Sequence, residues 1–198
     1  MISMTSTRGS ECPAALREAV ARIRASRLRK AGLAGAYASA DCEEGRRVYG
    51  LVERGRGAYL WGAPGRGKTY VAACAVRLRV EADGRSGTAK LVTAKRLLDD
   101  IRDGYDGGDR RALERAERYG LLALDDLGAE RPTEWAVETL TRLIDARTTR
   151  GLPTIVTSNL KLSELRSAFG GISGARVASR LAGACERIEF TGPDRRLL

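Results

Sequence analysis

Short apolar runs alternate with longer segments of helical periodicity from about residue 58 onward. The run Leu121–Leu124 holds four consecutive apolar residues, which is typical of a strand buried on both faces. Alternation of such strands with helices indicates an α/β fold with a parallel sheet covered on both sides. The predicted strands are residues 58–61, 89–92, 121–124, 154–157 and 187–190.

The helical segments between these strands have recognisable ends. Thr93 and Thr133 are suited to cap the helices that follow them, and Gly151 closes the second of these. The inward-facing side chains of that second helix are predicted to be Val137, Leu140, Leu143 and Ile144. Further helices are predicted at about 13–30, 68–82, 110–119, 163–169 and 175–181.

Two parts of unequal size are predicted along the 198 residues. Residues 1–32 form a basic N-terminal extension that is partly helical, and residues 33–198 form the main domain. The small residues of 31–40 are interpreted as a linker. The extension is either a partner-binding element or an appendage packed on the domain. Its apolar side chains that share one helical face are Leu16, Val20 and Ile23.

Composition narrows the chemistry. The formal net charge is +10, which suits a polyanionic partner such as nucleic acid, although an arginine-rich solvated surface explains it equally well. The absence of histidine excludes a Ser-His or Cys-His nucleophile pair.

No apolar stretch is long enough for a signal peptide or a membrane span, so we expect a cytoplasmic protein. The sequence has no C-x-x-C spacing, so we do not expect a zinc site. We expect free thiols at Cys12, Cys42, Cys74 and Cys185.

A glycine-rich segment between the first strand and the next helix matches the phosphate-binding pattern G-x-x-x-x-G-K-[ST] in full. Its backbone N–H groups and the following helix N-terminus would surround the phosphates of ATP. Lys68 would contact the β and γ phosphates, and the Thr69 hydroxyl would bind Mg²⁺. The predicted nucleotide-binding residues are Gly62, Ala63, Pro64, Gly65, Arg66, Gly67, Lys68, Thr69 and Tyr70.

Polar side chains end the third and fourth strands. The third strand, which we expect beside the strand that feeds the loop, ends in Asp125 and Asp126. Asp125 would bind Mg²⁺ and Asp126 would orient or deprotonate the attacking water, with slow turnover because aspartate is short; the alternative is an acidic turn. Asn159 ends the fourth strand and would hold the water between these carboxylates and the γ-phosphate, or serve as a cap or turn residue.

Several motifs in order resemble the DnaC/DnaI helicase loaders and the IstB transposition helpers, over about residues 33–196. These motifs are Leu121 to Glu130, Thr133-Glu134-Trp135-Ala136, Leu143-Ile144-Asp145-Ala146-Arg147, Gly151 to Leu160, Ser179-Arg180-Leu181 and Gly192-Pro193-Asp194-Arg195-Arg196.

The resemblance implies an AAA+ P-loop NTPase, an α-β-α three-layer sandwich with a five-stranded parallel sheet and no C-terminal helical lid. It implies ATP and Mg²⁺ as cofactors and Asn159 as a sensor of the γ-phosphate. Arg180 would be an arginine finger reaching the ATP of a neighbouring subunit, so that subunits self-associate; the alternative is a surface ion pair. Arg195 or Arg196 would approach the nucleotide.

Four functions remain open at this point. The resemblance implies a loader that acts on a replicative helicase and single-stranded DNA, with residues 93–120 lining the DNA channel. Alternatives are a transposition helper that recruits a transposase to duplex DNA, a nucleotide-gated binding module with little catalysis, and a small-molecule P-loop kinase. The arginines chosen as DNA contacts are Arg22, Arg24, Arg27, Arg29, Arg110 and Arg111.

Overall fold

Five parallel strands form a single sheet in the computed structural model of the protein, which describes residues 14–84, 87–105, 108–129 and 132–195. Their order across the sheet is β2-β3-β4-β1-β5, and every neighbouring pair is parallel. The predicted strands are confirmed, each within two residues at either end. The bounds are β1 Gly57–Trp61, β2 Ala89–Thr93, β3 Leu121–Asp125, β4 Thr154–Ser158 and β5 Cys185–Glu189.

Eight α-helices and one 3₁₀ helix accompany the sheet in the described residues. Both threonine caps are confirmed, because the Thr93 hydroxyl accepts the Arg96 N–H at 3.1 Å and the Thr133 hydroxyl accepts the Ala136 N–H at 3.3 Å. The 3₁₀ helix is Gly35–Ser39. The α-helices are α1 Ala14–Lys30, α2 Glu43–Glu53, α3 Lys68–Asp83, α4 Ala94–Tyr105, α5 Ala112–Arg118, α6 Glu134–Thr149, α7 Leu162–Phe169 and α8 Gly171–Ala184.

Alternate strand residues pack into two separate apolar layers. On β1, Ala58 and Leu60 join a core with α2, α3 and the end of α1, whereas Tyr59 joins a core with helices α4 to α8. This alternation is the period-two geometry of a strand with both faces covered. The α-β-α sandwich is therefore confirmed. Residues 190–195, the last that the structure describes, contain no helix.

The sheet order corrects one expectation about the site. β3 does not lie beside β1, because β4 pairs with both of them and stands between them. The carboxyl ends of β1, β4 and β3 consequently meet in that order at one edge of the sheet. This arrangement sets the residues that follow β4 between the glycine-rich loop and the two aspartates.

The interpretation of residues 31–40 as a linker is wrong. Leu33 and Ala40 are fully buried, and the Ala31 carbonyl accepts the Leu91 N–H from the edge strand β2 at 2.8 Å. Gly32 adopts a φ of +87° and lies so close to Leu91 that a Cβ would stand 2.1 Å from its carbonyl oxygen. Small residues serve close packing here, which composition alone does not distinguish from a flexible connection.

The first helix is packed along only part of its length. Near its C-terminus Leu28 is buried, and Arg24 donates to Glu81 of α3. Leu16, Val20 and Ile23, by contrast, are all more than half exposed. The predicted apolar face therefore exists as a stripe on the surface, outside the core of the chain.

Arg147 is almost completely buried at the junction of α5, α6 and β4, with 1% of its surface exposed. Its guanidinium donates to the carbonyl oxygens of Ala116, Tyr119 and Pro153 and to the Thr154 hydroxyl, at 2.8–2.9 Å. Burial, followed by the nearby charge of Arg150, lowers the pKa of Arg147 to about 10. The side chain thus joins three elements by satisfying carbonyl groups that would otherwise be buried without donors.

Replacing Arg147 with methionine is expected to lower the free energy of unfolding by about 3 kcal/mol or more, because several buried acceptors lose their donor at once. Urea denaturation measures this difference. Arg150→Met is the matched control: Arg150 is exposed on the same helix end, and its loss should cost less than about 1 kcal/mol. Equal losses in the two variants would contradict a structural role for Arg147.

Candidate functional site

The glycine-rich loop connects the carboxyl end of β1 to the first turn of α3. Gly65 and Gly67 adopt positive φ angles of 76° and 89°, which turn the loop backbone around an open space. A cavity of about 490 Å³ lies there. Its lining residues are Tyr37, Pro64, Gly65, Arg66, Gly67, Lys68, Thr69, Tyr70, Asp126, Asn159 and Arg195.

Lys68 connects the loop to the end of β4. Its side chain is buried, and its Nζ donates to the carbonyl oxygens of Gly62 and Ala63 at 2.7 and 2.9 Å. The same Nζ donates to Asn159 Oδ1 at 3.0 Å. The structure therefore brings the predicted lysine and the predicted sensor together, with the lysine charge held at the floor of the cavity.

Asp125 lies beside this lysine at the end of β3 and is nearly buried. Its Oδ1 accepts hydrogen bonds from the hydroxyls of Thr69, at 2.9 Å, and Thr157, at 2.6 Å. Burial raises the pKa of the Asp125 carboxyl, and the two hydroxyl donors partly oppose that rise. A divalent cation at this carboxylate would favour the ionised form.

The oxygen atoms of Thr69 and Asp125 are suited to Mg²⁺, which prefers hard oxygen ligands. In the part of the chain that the structure describes, no three His, Cys, Asp or Glu side chains are grouped to hold a metal ion. Mg²⁺ beside phosphates takes only one or two protein ligands and completes its shell with phosphate oxygens and water. Thr69 and Asp125 would hold it, where it would neutralise phosphate charge.

Asp126 has an unusual backbone conformation. Its φ of 55° is the one positive value among the non-glycine residues described, and its N–H donates to the Thr157 hydroxyl at 3.0 Å. Aspartate tolerates this left-handed region better than most residues. The turn points the chain away from β3 and leaves Asp126 exposed on the cavity lining, whereas Asp125 is directed inward.

Thr157 was not predicted as a site residue, although it organises both aspartates. It is buried, donates to Asp125 and accepts from the Asp126 N–H. The available signal was a hydroxyl that follows the apolar middle of the strand, Ile155 and Val156. Sequence spacing alone does not show that this strand stands next to β3.

The last described residues lie along the glycine-rich loop. The Arg195 N–H donates to the Gly65 carbonyl at 2.9 Å, and its guanidinium lines the cavity and donates to Glu44 at 3.2 Å. The pKa of Glu44 is held below its usual range, first by a hydrogen bond from the backbone N–H of Glu44 to its carboxylate and then by the Arg195 guanidinium. Arg195 therefore approaches the cavity, whereas Arg196 lies outside the described residues.

Two tyrosines border the cavity. Tyr70, predicted as a nucleotide-binding residue, accepts the Asp41 N–H at its hydroxyl at 3.2 Å. Tyr37, which was not predicted, comes from the 3₁₀ helix in the segment taken for a linker. Recognising Tyr37 required knowing that this segment folds back onto the domain.

Arg180 lies away from this cavity. Its Nε donates to Asp145 Oδ1 at 2.9 Å, and Arg176 contacts the other oxygen of the same carboxylate at 2.5 Å. Arg180 also borders a separate pocket with Thr154 and Cys185, the first residues of β4 and β5. Those are the opposite strand ends from the glycine-rich loop, so Arg180 does not contact the nucleotide site of its own chain.

A family model described as IstB-like ATP binding protein matches residues 46–197, which is more than three quarters of the chain. The chain belongs to this family. The match includes the whole loop, both aspartates, Asn159 and Arg180. Nucleotide binding is accordingly the shared property of this IstB-like chain and its family.

Relatives of the IstB-like chain include the replicative helicase loader DnaI of Bacillus subtilis (strain 168). It is 27% identical over 160 residues, which cover 76% of this chain and 50% of that protein, so the chain spans about half the length of this relative. A crystal structure of DnaI is 25% identical, with a TM-score of 0.64 over 88% of this chain and 93% of that one. A DnaC helicase loader structure is also 25% identical, with a TM-score of 0.63 over 86% and 99%.

These similarities agree with the AAA+ P-loop fold that the sheet order displays. A domain of the replication initiation protein DnaA from Thermotoga maritima, 18% identical with a TM-score of 0.62, shares the fold alone. None of the helices in the described ranges is both long and apolar enough to cross a lipid bilayer.

Proposed function

We propose that this IstB-like chain hydrolyses ATP in an assembly of several copies and loads a replicative helicase onto single-stranded DNA. The observation that carries the proposal is the meeting of Lys68, Asp125, Asp126 and Asn159 at one sheet edge, with Arg180 at the opposite end. A chain built this way holds most of a hydrolytic site on one face. Arg180, the arginine that would complete this site, lies on another face, from which it would reach only the ATP of a second copy.

Each side chain has a distinct part in this reaction. Lys68 neutralises charge on the β and γ phosphates, and Thr69 with Asp125 holds Mg²⁺. Asp126, exposed on the lining, orients or deprotonates the attacking water, and Asn159 fixes that water from its position between the lysine and the aspartates. The short Asp126 side chain makes slow turnover the expected behaviour.

Asp126→Ala is expected to lower the ATP turnover number about 100-fold or more while changing ATP affinity less than about threefold, since the water loses its base but the phosphates keep their contacts. Steady-state phosphate release and calorimetry measure the two quantities. Asp99→Ala is the matched control, because Asp99 borders the adjoining groove on α4 and not the nucleotide cavity. Turnover unchanged by Asp126→Ala would favour a nucleotide-gated binding module.

The helicase proposal rests on the loaders among the relatives and on an available surface. The stripe of Leu16, Val20 and Ile23 on α1 is more than half exposed and is accompanied by arginines, which suits an apolar groove with an acidic rim. The packed C-terminal part of α1 would hold this stripe in a fixed position on the domain.

The chain is expected to co-elute in gel filtration with the replicative helicase from its own genome when a non-hydrolysable ATP analogue is present. Replacing Leu16, Val20 and Ile23 together with serine should abolish co-elution, whereas Glu18→Ser on the same helix should preserve it. ATP binding by both variants, measured in parallel, verifies that the nucleotide site is intact. Failure of the unmodified chain to bind the helicase would contradict the loader proposal.

Single-stranded DNA is the proposed nucleic acid partner, and α4 with α5 is the segment proposed to contact it. Arg110 and Arg111 are exposed between these helices, whereas Arg24 is engaged with Glu81. An IstB-like transposition helper remains the second proposal, because the matching family model is described as IstB-like ATP binding protein and the same motifs resemble the IstB transposition helpers. ATP-dependent filaments on duplex DNA, with no preference for single strands, would favour the helper.

A further inference from the structure

Two cysteine side chains lie close together where the first turn of α2 packs against α3. Cys42 immediately precedes α2 and is half-buried, and Cys74 lies in α3 and is fully buried. Both sulfur atoms lie within 3.1 Å of the point that a Cβ on Gly45 would occupy. The missing side chain of Gly45 therefore leaves the space in which the two thiols face each other.

The two cysteines are joined by a hydrogen bond. The Cys74 thiol donates to the Cys42 carbonyl oxygen at 3.9 Å, and both cysteines are free thiols. Burial raises the pKa of the Cys42 thiol, and the Gly45 N–H opposes that rise. Cys42 is thus a slow nucleophile that a small molecule reaches, with a second, protected sulfur beside it.

We propose that Cys42 and Cys74 form an intramolecular disulfide when the protein meets a peroxide. The Cys42 thiolate attacks one peroxide oxygen, the O–O bond breaks, and Cys42 becomes a sulfenic acid as the first water leaves. The Cys74 sulfur then attacks the Cys42 sulfur, the S–S bond forms and the S–O bond breaks, releasing the second water. Two thiols lose two electrons, hydrogen peroxide gains them, and an added dithiol reverses the reaction.

The position of this pair connects it to the nucleotide site. Asp41, next to Cys42, donates its N–H to the hydroxyl of Tyr70 on the cavity lining, and Cys74 lies on the helix that begins with Lys68. The disulfide would therefore tie the segment before α2 to the helix that carries the phosphate-binding lysine. Cys185, the third cysteine among the described residues, is placed differently: its thiol is buried beside Thr154, and burial raises its pKa to about 12.

The test uses the full chain with Cys12→Ser, treated with hydrogen peroxide under native conditions and digested with trypsin without reduction. Mass spectrometry should find the tryptic peptide of residues 31–46 linked to that of residues 69–77. The oxidised protein should stay monomeric on a denaturing gel, and its Tm should rise by about 5 °C or more, because the crosslink restricts the unfolded chain. Dithiothreitol should return the Tm to its starting value.

Cys42→Ser and Cys74→Ser should each abolish the linked peptide and the rise in Tm, whereas Cys185→Ser should keep both. Ser is nearly isosteric with Cys, so the reduced variants are expected to fold, and their Tm before oxidation verifies this. Oxidation of Cys42 to sulfinic acid without the crosslink would overturn the proposal. A crosslink that forms only in urea would overturn it as well, since the native contact would then play no part.

Discussion

Lys68→Ala is expected to weaken ATP binding at least about 100-fold, which is about 2.7 kcal/mol. Lys68 is the buried cation on the cavity floor, and its removal takes away one charge-assisted partner of the triphosphate in a partly desolvated site. The loop backbone, the helix N-terminus and any bound Mg²⁺ remain, so residual binding at high ATP concentration is expected. Calorimetric titration with ATP and Mg²⁺ measures the affinity.

Lys161→Ala is the matched control for this change. Lys161 is near the same end of the sheet but lies over the Trp61 ring, outside the cavity lining, so its loss should leave ATP affinity nearly unchanged. The Lys68→Ala protein should still melt cooperatively, because Asn159, which accepts from Lys68, lines the cavity, where solvent can replace the lost donor. Micromolar ATP affinity retained without Lys68 would refute the nucleotide-site assignment of residues 62–69.

Strands and the phosphate-binding loop were predictable because their signals are local. Four apolar residues before Asp125, or the spacing of Gly62 and Lys68, carry their meaning within a few positions of the chain. The order of the strands in the sheet has no such local signal in the sequence. It depends on which strand inserts between β1 and β3, and the expectation that these two pair was wrong.

Residues that act through distant neighbours escaped prediction for the same reason. Thr157 acquires its role from Asp125, 32 positions earlier, and Glu44 from Arg195, 151 positions later. Helix α2, which carries Glu44, was missed because glycines and polar residues interrupt its apolar pattern. Tyr37 was missed because small residues resemble a linker, although here they allow close packing against β2.

Arg180→Ala is expected to reduce ATP turnover by about 1,000-fold or more in the assembled protein, while ATP affinity stays within about threefold. The expectation follows from its place at the strand ends opposite its own cavity, from which it would reach only the ATP of a neighbouring copy. Arg176→Ala is the control, because it removes the other arginine held by Asp145 and leaves Arg180 paired. Similar losses in both variants would indicate that the ion pairs with Asp145 matter structurally.

Mixing two inactive variants separates action between subunits from action within one. Arg180→Ala subunits bind ATP but give no arginine, and Lys68→Ala subunits give the arginine but bind ATP poorly. A neighbouring pair of the two kinds contains one complete site, so mixing should restore turnover well above that of either variant alone. The recovery should grow with protein concentration, because it depends on association. If mixing restores nothing although both variants assemble, Arg180 does not act across a subunit boundary, and its contact with Asp145 is its main role.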